Sequence, residues 1–150
     1  HRAISIFVFN SKDDMLLQQR AFHKYHTPGL WSNTACSHPR SNEIVKSAAE
    51  RRLNEEMGIE CDLFYAFNFL YCASFDNGLI ENELDHVYIG FSDEKPKTNP
   101  SEVEDYRYIN SNDLIKEINE NPCNFTPWFK ICVDRVLKIK SILKKEVLIA

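Results

Sequence analysis

The hydrophobic positions of the chain fall into short runs that are typical of β-strands, with polar turn residues between them. Ala3–Phe9 and Met15–Gln19 flank a short polar stretch and so predict a β-hairpin. Two further strands, from about Phe64–Phe75 and from Ile80–Phe91, are joined by an Asp-Asn-Gly turn sequence. A short strand is expected near Tyr106–Ile109. These runs predict the strands around which the rest of the chain folds.

Three stretches carry the periodicity or the end signals of α-helices. Ser111 or Asn112 is expected to cap a helix that runs through Ile118, and Thr126-Pro127 is expected to begin the last helix. The first helix has an apolar arc with a period of 3.6 residues. Its members are Ile44, Val45, Ala48, Ala49, Leu53 and Met57.

Two charged residues, Arg52 and Glu56, lie one turn apart in the middle of that apolar arc. An unpaired charge there would cost several kcal/mol. One explanation is a partly buried ion pair between them. The other, which we favour, is a ligand: Glu55 borders the same arc, and Cys36 and His38 stand just upstream. Carboxylates that face a thiol and an imidazole are suited to a divalent metal ion and a phosphate.

An aromatic stripe is predicted on the first of the two long strands, where alternate positions share a face. Such a stripe most often packs in the core. Its members are Tyr65, Phe67, Phe69, Tyr71 and Phe75. On the following strand Glu81, Glu83 and Asp85 share a face, and such an alternation is usually a solvated side.

Length and charge limit the function classes. A chain of 150 residues is the size of one domain with a good core. The net charge is −4, with both signs mixed along the chain, so neither a nucleic acid nor a membrane is an expected partner. There is no apolar run of membrane-spanning length, and His1-Arg2-Ala3 has neither the basic flank nor the small-residue cleavage site of a signal peptide, so a protein without a membrane span is expected. The five cysteines are an odd number without paired spacing, which favours free thiols and a cytoplasmic location.

The segment from Pro28 to Gly58 has the spacing of a Nudix box, the loop-helix-loop that holds magnesium against a diphosphate in Nudix proteins. The matching positions are Glu43, Arg51, Glu55, Glu56 and Gly58.

Two positions depart from the Nudix hydrolase pattern: Ser37 stands where those hydrolases have glycine, and Arg52 where they have a glutamate. Together with the segment from Trp31 to Pro39, these departures resemble type I isopentenyl diphosphate isomerase. The similarity extends to residues 81–83 and 126–129, so it covers nearly the whole chain.

The resemblance implies an α/β fold, namely a Nudix-type α/β/α sandwich with a mixed sheet and the box helix packed on it. It implies one isomerase domain over residues 1–150 that lacks a short upstream segment, where the family has a further histidine and a lysine. The implied reaction interconverts isopentenyl and dimethylallyl diphosphate in isoprenoid biosynthesis. A proton is added to the alkene, and another is removed from the neighbouring carbon of a tertiary carbocation. The implied partner is a small prenyl diphosphate, and a monomer or weak dimer is expected.

The resemblance also assigns roles to individual residues. His1, His38, Glu81 and Glu83 would bind zinc or manganese, which a nitrogen and oxygen set suits. Glu81 and Glu83 are roughly 7 Å apart along the strand, close enough to share one cation. Magnesium would bridge the diphosphate to the residues Glu56 and Cys36, the latter through its backbone carbonyl. The diphosphate itself would bind Arg20, Lys24 and Arg52.

The proton-transfer pair would be Cys36 and Glu83, on opposite faces of the substrate, with Tyr71 beside Glu83. Which of the two is the acid stays open. Trp128, which otherwise reads as a core residue, would stabilise the carbocation through its ring face. Two other functions remain: a Nudix hydrolase of a diphosphate metabolite, in which Cys36 is incidental, and a catalytically silent Nudix-like binding module.

Overall fold

The computed structural model describes residues 1–149. Seven strands are present in this part of the chain: β1 (Arg2–Phe9), β2 (Met15–Arg20), β3 (Trp31–Ser32), β4 (Ala35–Ser37), β5 (Leu63–Ser74), β6 (Ile80–Phe91) and β7 (Val103–Ile109). The helices are α1 (Val45–Met57), α2 (Ser111–Glu120) and α3 (Pro127–Ile149), with a single 3-10 turn at Pro122–Asn124. None of the helices in the described chain is long and apolar enough to cross a membrane.

The seven strands form one mixed sheet. Its main path runs β3-β2-β1-β6-β5, and β4 and β7 add to β1 and β2. β1 runs parallel to β6 and antiparallel to β2 and β4. The predicted hairpins β1–β2 and β5–β6 are both confirmed, as is the mixed sheet. The parallel pair brings the start of the chain next to β6, which carries the acidic residues.

The sheet is covered by helices on both faces. Along β1, Phe7 and Phe9 pack into one core cluster with residues of α2 and α3. Ile6 and Val8 pack into a second cluster with residues of α1. A strand that is buried on both faces is typical of the centre of an α/β sandwich. The predicted α/β/α architecture is therefore confirmed.

The first helix follows its predicted arc except at its start. Ala48, Ala49, Leu53 and Met57 are buried against the sheet. Ile44 is 72% exposed because it precedes the helix in extended backbone, so its place on the arc was wrong. The helix ends at Gly58, whose left-handed φ of 65° suits glycine.

Two other local predictions were wrong. A β-bulge between Tyr65 and Phe67 turns these side chains to opposite faces of the sheet, so Tyr65 is exposed and packs on Tyr88 instead of joining the aromatic stripe. The second helix is capped by Asn110, whose side chain accepts a hydrogen bond from the Asp113 N–H at 2.9 Å. Neither Ser111 nor Asn112 is the cap.

Candidate active site

A cavity of about 390 Å³ opens where β1, β4, β5 and β6 meet the loop after β2 and the start of α3. Eight of the residues singled out in the sequence line it: Arg20, Lys24, Cys36, His38, Tyr71, Glu81, Glu83 and Trp128. This volume suits a small ligand that is largely enclosed by protein.

Cys36 lies on the short strand β4, opposite Ser5 of β1. Arg20 donates a hydrogen bond from Nη1 to the Cys36 sulfur at 3.4 Å. Burial raises the pKa of the Cys36 thiol to about 11, although the Arg20 charge acts in the opposite direction. The thiol therefore holds its proton at neutral pH.

Three carboxylates of β6, those of Glu81, Glu83 and Asp85, face the cavity instead of solvent. Glu83 is 8% exposed, and its Oε1 lies 2.8 Å from His38 Nε2. Asp85 is 3% exposed and accepts a hydrogen bond from the Ser5 hydroxyl at 2.7 Å. Burial raises the pKa of Asp85 to about 7, against the lowering effect of the Ser5 hydrogen bond. We call these three residues with Tyr71 the acidic cluster.

Tyr71 and Trp128 form an aromatic wall of the cavity. Their rings meet edge to face, with centroids 6.2 Å apart. The Trp128 indole donates to Asn33 Oδ1 at 3.1 Å, which fixes the ring. The Tyr71 hydroxyl is buried without a hydrogen-bond partner, and burial followed by the nearby Glu81 charge raises its pKa. The Arg20 guanidinium lies 5.3 Å from the centre of the Trp128 ring, so this aromatic face already accepts a cation.

Arg20 has a fixed position. Its Nε and Nη2 donate to the His26 carbonyl at 3.2 and 3.1 Å, while Nη1 reaches Cys36. The guanidinium therefore stands among Cys36, Trp128 and the loop after β2.

The two remaining cations, Lys24 and Arg52, and their carboxylate partners, Glu56 and Glu102, form what we call the cationic cluster. Lys24 is paired with Glu102, and Arg52 Nη2 lies 3.3 Å from Glu102 and 3.1 Å from Glu56. The partly buried Arg52–Glu56 ion pair is thus present. Gln18 also donates to Glu56, at 2.9 Å. Burial raises the pKa of Glu56, whereas the Arg52 charge lowers it. Arg52 and Glu56 are not among the residues that line the cavity, and Arg52 reaches its wall through Glu102.

Of the donors predicted for zinc or manganese, His38 lies against Glu83, while Glu81 lies beside His26, which was not among them. Within residues 1–149, no three histidine, cysteine or carboxylate side chains gather around one point. His1 is exposed and does not line the cavity. Its backbone carbonyl accepts a hydrogen bond from the Leu84 N–H of β6 at 2.8 Å.

The chemistry of these donors nevertheless fits a divalent ion. Glu83 Oε2 and His26 Nδ1 are buried in the cavity wall without a hydrogen-bond partner, and a buried polar atom of this kind calls for a ligand. Glu56 Oε2 is likewise buried without a hydrogen bond, which suits an oxygen-seeking cation such as magnesium.

Three residues of the site were missed as functional candidates. Asp85 carried a signal, since it alternates with Glu81 and Glu83. His26 and Glu102 lie in loops, where no periodicity marks a direction. Their positions depend on tertiary contacts with residues distant in sequence.

Comparisons with known proteins agree with this architecture. A family model described as "NUDIX domain" matches residues 1–129. Among solved structures, the MutT protein from Methanosarcina mazei superposes with a TM-score of 0.74 over 92% of this chain and 93% of that chain, at 17% identity. That likeness concerns the fold alone, which is the fold of the Nudix proteins.

Curated relatives narrow the class. Isopentenyl-diphosphate Delta-isomerase 1 and 2 of Aromatoleum aromaticum are 53% and 49% identical, over 94% and 95% of this chain and 80% and 75% of their own lengths. The isopentenyl-diphosphate Delta-isomerase of Pectobacterium atrosepticum is 47% identical over 97% of this chain and 82% of its own. The chain therefore belongs to the isopentenyl-diphosphate Delta-isomerase family of Nudix-domain proteins.

Proposed function

We propose that the chain is an isomerase that interconverts isopentenyl diphosphate and dimethylallyl diphosphate in the cavity described above. Its relatives at about half sequence identity carry that activity in their names. The structural observation that carries the proposal is that Cys36 and Glu83, from different strands, line one cavity with Trp128. This arrangement supplies two proton-transfer groups and an aromatic face to one small ligand.

Cys36 and Glu83 would move the protons. One group adds a proton to the terminal alkene carbon, and the second removes a proton from the carbon on the other side of the resulting tertiary cation. Glu83 is buried and Cys36 is partly buried, which limits the access of water that would trap the cation. The Cys36 thiol keeps its proton even with the Arg20 charge beside it, so Cys36 would act as a proton donor. Tyr71 would hold the carboxylate of Glu83 in place.

Trp128 would stabilise the cation. A cation over a desolvated indole gains about 2 kcal/mol. The Arg20 guanidinium occupies a comparable position above the ring, and the Asn33 hydrogen bond keeps the ring from rotating away. The positive charge of the intermediate would thus meet an aromatic face that is already oriented.

The diphosphate would bind Arg20, Lys24 and Arg52. Lys24 and Arg52 share Glu102 as their partner, so the phosphate oxygens would take the place of a carboxylate that these cations already bind. Magnesium would be held by Glu56 and the Cys36 backbone carbonyl and would neutralise part of the phosphate charge.

A zinc or manganese ion would be held by His38, Glu81 and Glu83, with His1 as the further ligand that the family resemblance implies. Its charge would keep the neighbouring carboxylates ionised and correctly oriented. The single domain over residues 1–150, the cytoplasmic location and the monomer or weak dimer stay predictions.

The test is incubation of the purified protein with isopentenyl diphosphate in heavy water. We expect dimethylallyl diphosphate that has taken up deuterium at carbon, with no release of phosphate. Release of phosphate without migration of the double bond would support the hydrolase alternative. Binding of the substrate without turnover, in the presence of magnesium and zinc, would support the silent binding module.

A further inference from the structure

His26, in the loop after β2, has no role in the scheme above. Its ring lines the cavity and meets the rings of Tyr25 and Phe75 edge to face, at centroid distances of 5.5 and 5.9 Å. Its Nδ1 is buried without a hydrogen-bond partner, although it lies only 3.4 Å from Glu81 Oε1. A buried ring nitrogen close to a carboxylate but not hydrogen-bonded to it needs an explanation.

The distance between these two atoms suits two ligands of one ion. Zinc binds histidine nitrogen at about 2.0–2.1 Å and carboxylate oxygen at about 2.0–2.2 Å, so two tetrahedral ligands are about 3.4 Å apart. The separation of His26 Nδ1 and Glu81 Oε1 is 3.4 Å. By contrast, His38 Nε2 and Glu83 Oε1, at 2.8 Å, have the spacing of a direct hydrogen bond.

We propose that His26 is a further ligand of the zinc or manganese ion and binds it through Nδ1 beside Glu81. This inference rests on the proposed metal site. Glu81 and Glu83 share the cavity face of β6, so a ligand beside Glu81 belongs to the same ion as Glu83. Two contacts hold His26 in place for this role: the edge-to-face packing of its ring on Phe75, and the hydrogen bonds that Arg20 donates to its carbonyl. An imidazole favours zinc over magnesium.

The first experiment measures zinc affinity directly. Wild-type protein, His26→Ala and His86→Ala are stripped of metal and titrated with zinc against a coloured chelator. His86 lies on β6 but not in the cavity, so its variant controls for the loss of one imidazole. We expect the zinc affinity of His26→Ala to fall by more than the roughly 10- to 100-fold that is lost with an outer-sphere partner. Equal affinities of His26→Ala and wild type would overturn the inference.

Two further variants separate a ligand from a hydrogen-bond partner. His26→Gln keeps an N–H group that can reach Glu81 but is a poor zinc ligand, and His26→Cys supplies a thiolate that is a good one. We expect His26→Gln to remain weak. Cobalt-loaded His26→Cys should show a thiolate-to-cobalt charge-transfer band that wild-type protein lacks. Full recovery of affinity in His26→Gln, or no new band in His26→Cys, would show that residue 26 does not bind the ion.

Glu81→Gln and Glu83→Gln distinguish a failure of the proposed metal site from a failure of the role of His26 alone. If these variants lose zinc while His26→Ala keeps it, the metal site stands and the role of His26 falls. If neither of them changes the zinc affinity, the proposed metal site falls together with the inference. The isomerisation assay in heavy water is read separately in both cases.

Discussion

In the cationic cluster, Lys24 and Arg52 are each paired with a carboxylate, and Glu102 joins them. In the acidic cluster, three carboxylates and a tyrosine share one wall of the same cavity, and burial raises the pKa of Asp85 and Tyr71. The first cluster pairs its charges, whereas in the second burial disfavours the charged forms of Asp85 and Tyr71. The pKa of Cys36 is affected by both clusters, since the charges of Lys24 and Asp85 both act on it.

This difference matches the two tasks of the proposed reaction. A diphosphate needs fixed cations that are already in place, which paired side chains provide. Proton transfer to an alkene needs a group that keeps its proton until the substrate arrives, which a buried acid provides. The following changes test whether the two clusters are separable in this way.

The largest expected effect follows removal of the thiol. Cys36→Ala should lower kcat by about 10²- to 10⁴-fold, the range for loss of a general acid or base, because no other side chain can take its position. Substrate binding should change little. The measurement is deuterium incorporation into product under saturating substrate. Cys72→Ala, which removes an exposed thiol on β5, is the matched control and should keep full activity. Retained turnover in Cys36→Ala would exclude the proposed pair.

The second effect concerns stability and pH in the metal-free protein. The pKa of Asp85 is about 7 in the folded protein against 3.8 for the free side chain, so the folded state holds a proton that the unfolded state releases. The stability that this proton confers is full below pH 4 and is lost as the pH rises to 7. A shift of about three units corresponds to about 4 kcal/mol.

Asp85→Asn removes this titration. The free energy of unfolding of the variant minus that of wild type should therefore increase by up to about 4 kcal/mol between pH 4 and pH 8. Urea unfolding at both pH values measures the difference. Asp76→Asn, at the β5–β6 turn, is the control. A difference between Asp85→Asn and wild type that does not vary with pH would mean that Asp85 is ionised throughout.

A smaller kinetic effect is expected at the aromatic wall. Trp128→Phe should lower kcat by about 10- to 30-fold, or about 1–2 kcal/mol, with little change in KM, because phenylalanine attracts a cation less strongly. Trp31→Phe is the matched control: Trp31 also lies under an arginine, Arg107 at 4.6 Å, but does not line the cavity. Melting temperatures identify any loss that comes from the broken Asn33 hydrogen bond. A rise in KM alone would place Trp128 in substrate binding.

The smallest effect is expected in the cationic cluster. Glu102→Gln should tighten binding of inorganic pyrophosphate by up to about fivefold, since a partly exposed ion pair contributes about 1 kcal/mol or less and no longer competes. Isothermal titration in low salt measures this affinity. Glu117→Gln breaks the Arg107–Glu117 pair outside the cavity and should have no effect. Weaker pyrophosphate binding in Glu102→Gln would show that Glu102 orients the cations more than it competes for them.

Regular patterns in the sequence predicted most of the fold. The hairpins, the arc of α1 and the start of α3 at Pro127 follow from local periodicity and end signals, and all are present. The bulge between Tyr65 and Phe67 was not predictable, because one extra residue in a strand leaves no compositional mark. Strands β3 and β4 were also missed, since they have only two and three residues.

The site residues likewise include some that were predicted and some that were missed. The family resemblance named Cys36, His38 and Glu83, and the fold brings them to one cavity. It did not name Glu102 or His26, whose positions are determined by contacts with Lys24 and with Glu81. The orientation of a side chain in a loop is determined by tertiary contacts with distant residues, which local sequence patterns do not show.

The parallel pairing of β1 with β6 has a consequence for biosynthesis. Ser5 meets Asp85 across 80 positions, so β1 leaves the ribosome well before β6, the strand with which it pairs. During that interval Ile4, Ile6 and Phe7 have no parallel partner to cover their backbone. Such distant pairings slow folding and expose a newly made chain to aggregation. Expression yield should therefore respond to translation speed and chaperone supply more than to changes at the cavity.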